Sequence, residues 1–279
     1  MPALLLFVLS GLTQYLGAAV AVRLFGTLPA PTIAWLRIAI AAVVLLGWSR
    51  PWRAPLRGRR LATAGAFGLV LAGMNVSFYV AIAHLPLGTA VAVEFLGPVA
   101  VAAVTGRGWR DRAAIGVALA GVVLLAGVSL GMGPGARVGL LAILVSAVLW
   151  AGYVVLGRRV AGQNGGLGGL AVGMAVGGLV FAPFLAARAA PVLGSWRLAL
   201  AVVAVAVCSS VIPYGIEQVV LRRVRAATFA VLLALLPLCS ALVGAVVLRQ
   251  VPNVTEVVGM LLVCGAIALT GRPDEAPPA

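Results

Sequence analysis

The feature that most constrains this chain is a series of ten apolar runs, each about as long as a membrane-spanning helix. They occupy residues 3–22, 32–49, 61–83, 86–105, 113–130, 138–157, 168–187, 198–221, 226–248 and 254–270. A helix needs about 20 apolar residues to cross the hydrocarbon core of a bilayer. The pattern therefore predicts an all-α polytopic membrane protein with ten transmembrane helices joined by short connections.

The composition excludes a water-soluble fold. Apolar residues make up 63% of the 279 positions and charged residues 9%, whereas soluble domains carry roughly 45–50% apolar and about 25% charged residues. All 20 basic residues are arginines, and almost all of them lie in the breaks between runs. Because no basic face alternates with aromatic residues, nucleic acid is not an expected partner. The lipid bilayer is the expected surrounding.

The arginines also predict the orientation of the helices. Counted over alternate breaks and the C-terminal tail, one side carries fourteen arginines and the other carries five. Cytoplasmic loops carry the excess of basic residues in membrane proteins. We therefore expect a multi-pass inner-membrane protein with both termini in the cytoplasm, in agreement with an even number of spans.

The two halves of the chain share a pattern that predicts an internal repeat. Five residues of the fourth run recur 139 positions later in the ninth: Thr89, Leu96, Pro98, Ala102 and Val104 return as Thr228, Leu235, Pro237, Ala241 and Val243. Five spans per half is an odd number, so the second half must enter the membrane inverted, as in many transporters. We expect a first five-helix repeat at 1–137, a second at 138–272 and a cytoplasmic tail at 273–279.

Three glycines spaced four residues apart, Gly169, Gly173 and Gly177, form a stripe along one face of the seventh run. Small residues in such a stripe let helix backbones approach closely in lipid. Tight packing within the bundle is the favoured interpretation, and a dimer face is the alternative. The sequence therefore leaves open a monomer or a homodimer.

Few ionisable residues lie inside the runs, and such residues usually mark a binding site or a pathway. Glu94 lies eight residues into the fourth run and Arg37 five residues into the second. Polar and aromatic side chains of neighbouring runs are expected within reach of one shared pocket: Asn75, Tyr79, Gln14, Trp150 and Tyr153. For Arg37 the alternatives are neutralisation of Glu94 and snorkelling towards the membrane surface.

Three prolines inside runs are candidate helix breaks. A proline removes the backbone donor for the carbonyl four residues earlier, so Pro98 frees the carbonyl of Glu94 itself. By the same rule Pro213 frees the Ser209 carbonyl, and Pro237 frees that of Leu233. An opened carbonyl beside a carboxylate would suit an ammonium group or a proton, whereas the alternative is a kink that only serves packing.

The eighth run adds two further candidates, Tyr214 beside Pro213 and Glu217 one turn later. Tyr214 is expected to line the wall of the pocket, together with Trp150 and Tyr153. Glu217 has two alternatives, a role towards substrate or protons and an interfacial ion pair with the arginines that follow it.

The sequence lacks the patterns that indicate an enzyme. It contains no HExxH motif, no phosphate-binding glycine loop followed by lysine, and no lysine at all. The three cysteines, Cys208, Cys239 and Cys264, lie in apolar runs without metal-ligand spacing, so we expect them to be core residues. We expect no enzymatic activity, no cofactor and no metal site.

Several segments resemble the bacterial threonine/homoserine exporters of the EamA branch, in the drug/metabolite transporter superfamily. The resemblance rests on Gly73-Met74-Asn75, Phe78-Tyr79, Leu85-Pro86-Leu87-Gly88, Glu94-Phe95 with Gly97-Pro98, Trp150-Ala151 with Tyr153, and Ile212-Pro213-Tyr214 with Glu217. It implies ten spans as an inverted five-plus-five repeat around a central cavity, and export of amino acids or other metabolites. Two departures are Leu236, where the family tends to have an acidic residue, and Arg249-Gln250, where it tends to have Gly-Glu.

Together these patterns predict a secondary transporter that exports a small polar metabolite, such as threonine, homoserine or a derivative, by alternating access. Glu94 would meet an ammonium group or carry a proton, Asn75 and Tyr79 would donate or accept hydrogen bonds, and Arg37 would meet a carboxylate. Efflux of amphipathic drugs or toxins is the alternative within transport. A membrane scaffold or sensor that transports nothing is the alternative from another class.

Overall fold

The structure, a computed structural model, describes residues 3–53, 56–105, 108–160, 166–214, 216 and 232–270. Every regular element in this part of the chain is helical, so the predicted all-α class is confirmed there. The α-helices are α1 (Ala3–Leu24), α2 (Ala30–Ser49), α3 (Arg59–Ile82), α4 (Leu87–Glu94), α5 (Leu96–Thr105), α6 (Trp109–Leu130), α7 (Pro134–Val160), α8 (Gly166–Leu185), α9 (Ala190–Leu193), α10 (Trp196–Ala206), α11 (Leu236–Leu248) and α12 (Val254–Thr270).

Eight helical segments of the described residues are long and apolar enough to cross a membrane. They follow the first eight predicted runs, and α4 with α5 counts as one of them. The apolar helices α11 and α12 are shorter, with 13 and 17 residues. Part of the ninth run lies outside the described residues. The multi-pass character is thus confirmed, whereas a total of ten spans stays a prediction.

Two apolar runs are interrupted at related positions. The fourth breaks at Phe95, between α4 and α5, and the ninth contains a turn at Ala234–Leu235, directly before α11. Pro98 and Pro237 lie in the first turn of the helix that follows each break, where a missing backbone N–H costs least. Phe95 and Ala234 are 139 positions apart, which equals the predicted repeat offset. The inverted relation of the halves stays a prediction.

A third irregularity lies in the eighth run. The α10 helix passes into a π-helical segment at Val207–Val211, and Pro213 follows two residues later. Insertion of one extra residue into a helical turn is typical near a proline or a functional site. This π segment packs against α1 and α2.

The bundle is held together mainly by contacts between helices of the two halves. The α3 helix lies against α7 and α8, α6 lies against α12, and α1 lies against α11. A Cβ atom at Gly68 on α3 would overlap the Gly173 carbonyl oxygen on α8, and one at Gly177 would lie 2.5 Å from the Gly68 carbonyl oxygen. The glycine stripe therefore packs inside the bundle, and the dimer face is wrong for Gly173 and Gly177.

Candidate functional site

Glu94 lies at the point where three helices meet. It is the last residue of α4, and only 8% of its surface is exposed. Its Oε1 atom lies 2.5 Å from Ser146 Oγ on α7. The same hydroxyl oxygen lies 3.0 Å from the carbonyl oxygen of Met74 on α3. The carboxyl group of Glu94 therefore joins α4 to α7, and through Ser146 to α3.

The break that follows Glu94 is packed closely against α7. A Cβ atom at Gly97 would overlap the Ala147 carbonyl oxygen, so the approach of α5 to α7 requires glycine. Phe95 meets Trp150 edge to face, with ring centroids 4.6 Å apart. Ser146 and Trp150 are one helical turn apart, so one face of α7 supports both Glu94 and Phe95.

Arg37 on α2 is buried as well, and its hydrogen bonds go to the π segment. Its Nε donates to Ser210 Oγ over 2.8 Å, and its Nη2 donates to the Ser209 carbonyl oxygen over 2.7 Å. Pro213 has no backbone N–H, so this carbonyl lacks its α-helical donor. Arg37 takes the place of that donor. The guanidinium lies within electrostatic reach of Glu94, although its described hydrogen bonds do not go to the carboxylate.

Tyr79 on α3 is fully buried beside Arg37. The Arg37 guanidinium carbon lies 5.6 Å from the centroid of the Tyr79 ring, a cation–π distance. Phe25 and Phe78 meet the same ring edge-on. Among the described residues, none serves as a hydrogen-bond partner for the Tyr79 hydroxyl. A buried hydroxyl without a partner costs about 1–3 kcal/mol, so a ligand or water that reached it would be stabilised.

The remaining polar candidates, Asn75 and Gln14, take part in hydrogen bonds that involve backbone carbonyls. Asn75 is buried on α3, and its Nδ2 donates to the carbonyl oxygen of Leu71 in its own helix over 2.8 Å. Gln14 is half-buried on α1, and its backbone carbonyl accepts a 3.0 Å hydrogen bond from Ser209 Oγ. The first helix is thereby tied to the same π segment that holds Arg37.

The predicted aromatic wall is divided between two apolar clusters. Trp150 packs against the larger cluster, which contains Tyr79 and Phe95. Tyr153 stacks on Phe67 of α3, with ring centroids 5.0 Å apart, and it shares the smaller cluster with Tyr214. Glu217 lies outside the described residues.

A second buried carboxylate, Glu256, lies in the first turn of α12. Its Oε1 accepts a hydrogen bond from the Thr89 hydroxyl on α4 over 3.2 Å, and its Oε2 accepts one from the Asn253 backbone N–H over 2.9 Å. The Asn253 side chain in turn accepts from the Glu256 backbone N–H over 2.9 Å. This reciprocal capping box starts α12 and fastens it to α4.

Next to Glu256, the first turn of α4 is capped by the loop that leads to α12. Gln250 Oε1 accepts the Leu87 backbone N–H over 3.0 Å. A cavity of about 270 Å³ lies here, lined by Thr89, Gln250 and Glu256 among others. Glu94 lies five residues after Thr89 in the fourth apolar run, and it does not line this cavity.

The serines that bind both charged groups did not stand out in the sequence. Ser146 binds Glu94, while Ser209 and Ser210 bind Arg37. The available signals were weak: Ser146 lies one turn before Trp150 on one helix face, and Ser209 supplies the carbonyl that Pro213 frees. Serine is common in transmembrane helices, where it bonds to its own helix, so its presence alone did not mark these positions.

Comparison with known proteins decides the family. Residues 137–272 match the EamA-like transporter family. The threonine/homoserine exporter RhtA of Salmonella typhimurium (strain LT2) is 32% identical over 252 residues, which cover 90% of this chain and 84% of that protein. This chain belongs to the EamA-like transporter family. RhtA of Escherichia coli (strain K12) is also 32% identical, over 251 residues that cover 90% of this chain and 83% of that protein.

One solved crystal structure has the same fold as this EamA-like transporter. It aligns with a TM-score of 0.56 over 96% of this chain and 94% of its own, at 20% sequence identity. At that identity the likeness concerns the fold alone. The predicted membership of the EamA branch is confirmed by the RhtA relatives, and the chain is a multi-pass membrane protein of an exporter family.

The structure shows what surrounds the three residues that depart from the usual EamA pattern, Leu236, Arg249 and Gln250. Arg249 has φ 59°, a left-handed conformation that glycine adopts without strain. Gln250 supplies an amide oxygen to the start of α4, where a glutamate carboxylate would supply a charged acceptor. Leu236 is buried against α1, and a Cβ atom at Gly11 would lie 2.9 Å from its Cδ2. The apolar side chain at 236 is therefore part of the α1–α11 contact.

Proposed function

We propose that this chain is an inner-membrane secondary transporter that exports a small polar metabolite by alternating access. The substrate class is an amino acid such as threonine or homoserine, or a close derivative. Membership of the EamA-like family and the named activity of the RhtA relatives support this proposal. Ten spans in an inverted five-plus-five repeat, with both termini in the cytoplasm, complete the proposed architecture.

The observation that carries the proposal is the placement of Glu94. It is a carboxylate buried at a helix break in a multi-pass membrane protein, and among the hydrogen bonds of the described residues its one side-chain partner is the neutral Ser146 hydroxyl. A carboxylate at membrane depth is costly, and it is tolerated mainly where it faces the bundle interior and serves a pathway. Glu94 also links α4 to α7 through Ser146, but an apolar side chain could serve packing alone without the cost of a buried carboxylate.

The residues near Glu94 supply a positive charge and further hydrogen-bonding groups. Arg37 has five N–H groups, and its two described hydrogen bonds use two of them. The buried Tyr79 hydroxyl adds a donor and acceptor beside the guanidinium. A zwitterionic amino acid would place its ammonium group at Glu94. A proton that binds Glu94 would take the place of this ammonium group when the substrate is released. The substrate carboxylate would meet Arg37, with Asn75 and Tyr79 as hydrogen-bonding neighbours.

The proposed function predicts substrate-specific exchange in a purified system. The protein would be reconstituted into liposomes preloaded with threonine, homoserine, lysine or an uncharged sugar, and entry of labelled threonine would be measured. We expect accumulation with threonine and homoserine inside, and little with lysine, because an unpaired buried cation costs several kcal/mol. Protein-free liposomes provide the control.

Two outcomes would contradict the proposed export of amino acids. If none of the amino acids exchanges but a fluorescent amphipathic cation is extruded, drug efflux is the function. If neither class moves while the protein is monodisperse and correctly inserted, the transport function is wrong, and a scaffold or sensor remains.

A further inference from the structure

We propose that Ser146 is the positioning residue that lets Glu94 bind and release a proton, because its single hydroxyl can serve both protonation states of the carboxyl group. This inference rests on the proposed function, in which Glu94 belongs to the transport site. It adds the residue that makes proton binding at Glu94 reversible.

The Ser146 hydroxyl has one proton for two neighbouring oxygen atoms. The Ser146 hydroxyl oxygen lies 2.5 Å from Glu94 Oε1 and 3.0 Å from the Met74 carbonyl oxygen. A hydroxyl carries one proton and two acceptor lone pairs. If Glu94 is ionised, both neighbours are acceptors that compete for one proton. If Glu94 is protonated, its new O–H group donates to Ser146, and Ser146 donates to Met74, so that each short contact is a hydrogen bond.

The proton balance of the step is simple. On protonation, an O–H bond forms at the Glu94 carboxylate with a proton taken from water that reaches the site. The Ser146 hydroxyl rotates and turns its own proton from Glu94 to the Met74 carbonyl, without any change in its covalent bonds. On release, the proton returns to water and the hydroxyl rotates back.

This rotation gives the protonation state of Glu94 a mechanical consequence. The contact between α4 and α7 exists in both states, because Ser146 either donates to Glu94 or accepts from it. The hydrogen bond from α7 to the Met74 carbonyl of α3 forms in the protonated state. Asn75 follows Met74 directly, and Tyr79 lies one turn further along α3. Proton binding at Glu94 is thereby coupled to the helix that carries two proposed substrate ligands.

The surroundings favour Glu94 as the group that exchanges protons. Among the described residues, Arg37 on α2 is a charged group that acts electrostatically on the carboxyl. The carboxyl groups of Asp111 and Glu256 lie in the first turns of α6 and α12, and each accepts a backbone N–H of its own capping box. The arginines of the helices packed around α4 lie at the helix ends: Arg59, Arg60, Arg110, Arg112, Arg137, Arg158 and Arg159. The remaining titratable groups in the described parts of these helices are the phenols Tyr79 and Tyr153 and the thiols Cys239 and Cys264.

Infrared difference spectroscopy tests the inference on the full-length protein in lipid vesicles. A step from alkaline to acidic pH should produce a protonated-carboxyl C=O band that belongs to Glu94, identified by its loss in Glu94→Gln. In Ser146→Ala we expect this band to move to higher frequency, because the carboxyl loses its hydrogen-bond partner. Ser146→Thr keeps a hydroxyl and should restore the position of the band.

Exchange of labelled threonine gives the second readout. We expect Ser146→Ala to be about tenfold slower, the change that corresponds to one lost hydrogen bond, and Ser146→Thr to recover most of the rate. Ser129→Ala is the matched control, because Ser129 is equally buried but donates to the Leu125 carbonyl of its own helix. If Ser146→Ala does not fold, Ser146→Cys replaces it, with the same expected direction of the band shift.

An unchanged Glu94 band in the folded Ser146 variant would overturn the role of Ser146. Absence of any Glu94 band over the accessible pH range would overturn proton binding, yet it would leave export with Glu94 as the ammonium ligand. If the unmodified protein does not exchange threonine while the infrared bands behave as expected, the proposed substrate is wrong and the role of Ser146 stands.

Discussion

Two of the three buried carboxylates of the described residues, Glu94 and Glu256, differ in the number of hydrogen bonds that hold them. Glu256 is 4% exposed and lies in the first turn of α12, where it accepts the Thr89 hydroxyl and the Asn253 backbone N–H. Glu94 is 8% exposed and lies at a helix break, where its described side-chain partner is the Ser146 hydroxyl. Similar burial thus accompanies two different sets of hydrogen bonds.

The difference lies in the donors that hold each carboxylate. Glu256 completes a capping box at the positive end of a helix, where an anion is stabilised. Two donors from different parts of the chain, the Thr89 hydroxyl and the Asn253 backbone N–H, hold its two oxygens. Ser146 can reverse its hydrogen bond to Glu94, so a proton can be accepted there without leaving a donor unpaired. Burial of a carboxylate in a membrane helix is therefore a poor guide to function until its donors are counted.

The largest expected effect comes from closing the space beside Glu94. We predict that Gly97→Ala lowers the threonine exchange rate by at least about tenfold, because the added methyl overlaps the Ala147 carbonyl and overpacking costs about 1–3 kcal/mol. Gly265→Ala is the control, since its Cβ atom meets nothing within 4 Å. Exchange rates of the two variants, normalised to inserted protein, are the measurement. Equal rates would show that the α5–α7 contact does not position Glu94.

A smaller effect is expected from Arg37. In Arg37→Lys, the charge stays, but one ammonium group cannot reproduce the paired hydrogen bonds to Ser209 and Ser210. We predict a loss of stability of about 1.5–3 kcal/mol, measured as a lower midpoint of thermal unfolding in detergent. If Arg37→Lys is as stable as the unmodified protein but binds threonine more weakly, Arg37 serves the substrate rather than the π segment.

The smallest effect on transport is expected at the firmly held carboxylate. Glu256→Gln should lower stability by about 0.5–2 kcal/mol, the usual cost of a weakened helix cap, with an exchange rate within about twofold of the unmodified protein. Thermal unfolding and exchange would be measured on the same preparation. A transport defect much larger than the stability loss would place Glu256 in the transport path as well.

The sequence predicted the helical architecture well because the bilayer imposes length and polarity on each span. Eight predicted runs correspond to helices long enough to span, and the run 254–270 has the bounds of α12. The break beside Pro98 was also predictable, because proline removes a specific hydrogen bond. The ends of the helices differ from the predicted runs by a few residues, since α3, α6 and α7 extend into polar breaks.

The hydrogen bonds and contacts between the side chains of the site were less predictable. Glu94 and Arg37 stood out as charges in apolar runs, and Pro213 predicted an opened Ser209 carbonyl, but nothing in the local sequence indicated that Arg37 binds this carbonyl. Ser146 gains its importance from α3 and α4, which are more than 50 residues away along the chain. Such long-range contacts follow from packing of whole helices rather than from local pattern. The division of Trp150 from Tyr153 and Tyr214 between two clusters has the same origin.

The most direct test is threonine exchange by Glu94→Gln and Glu256→Gln in matched liposomes across pH 5 to 8. Both substitutions remove one carboxylate and keep its shape. The account predicts that Glu94→Gln loses exchange by about tenfold to a hundredfold, the value of one charge-assisted interaction, while Glu256→Gln retains exchange and its pH dependence. Normal exchange by Glu94→Gln throughout this range, or selective loss in Glu256→Gln, would contradict the assignment of Glu94 as the working carboxylate.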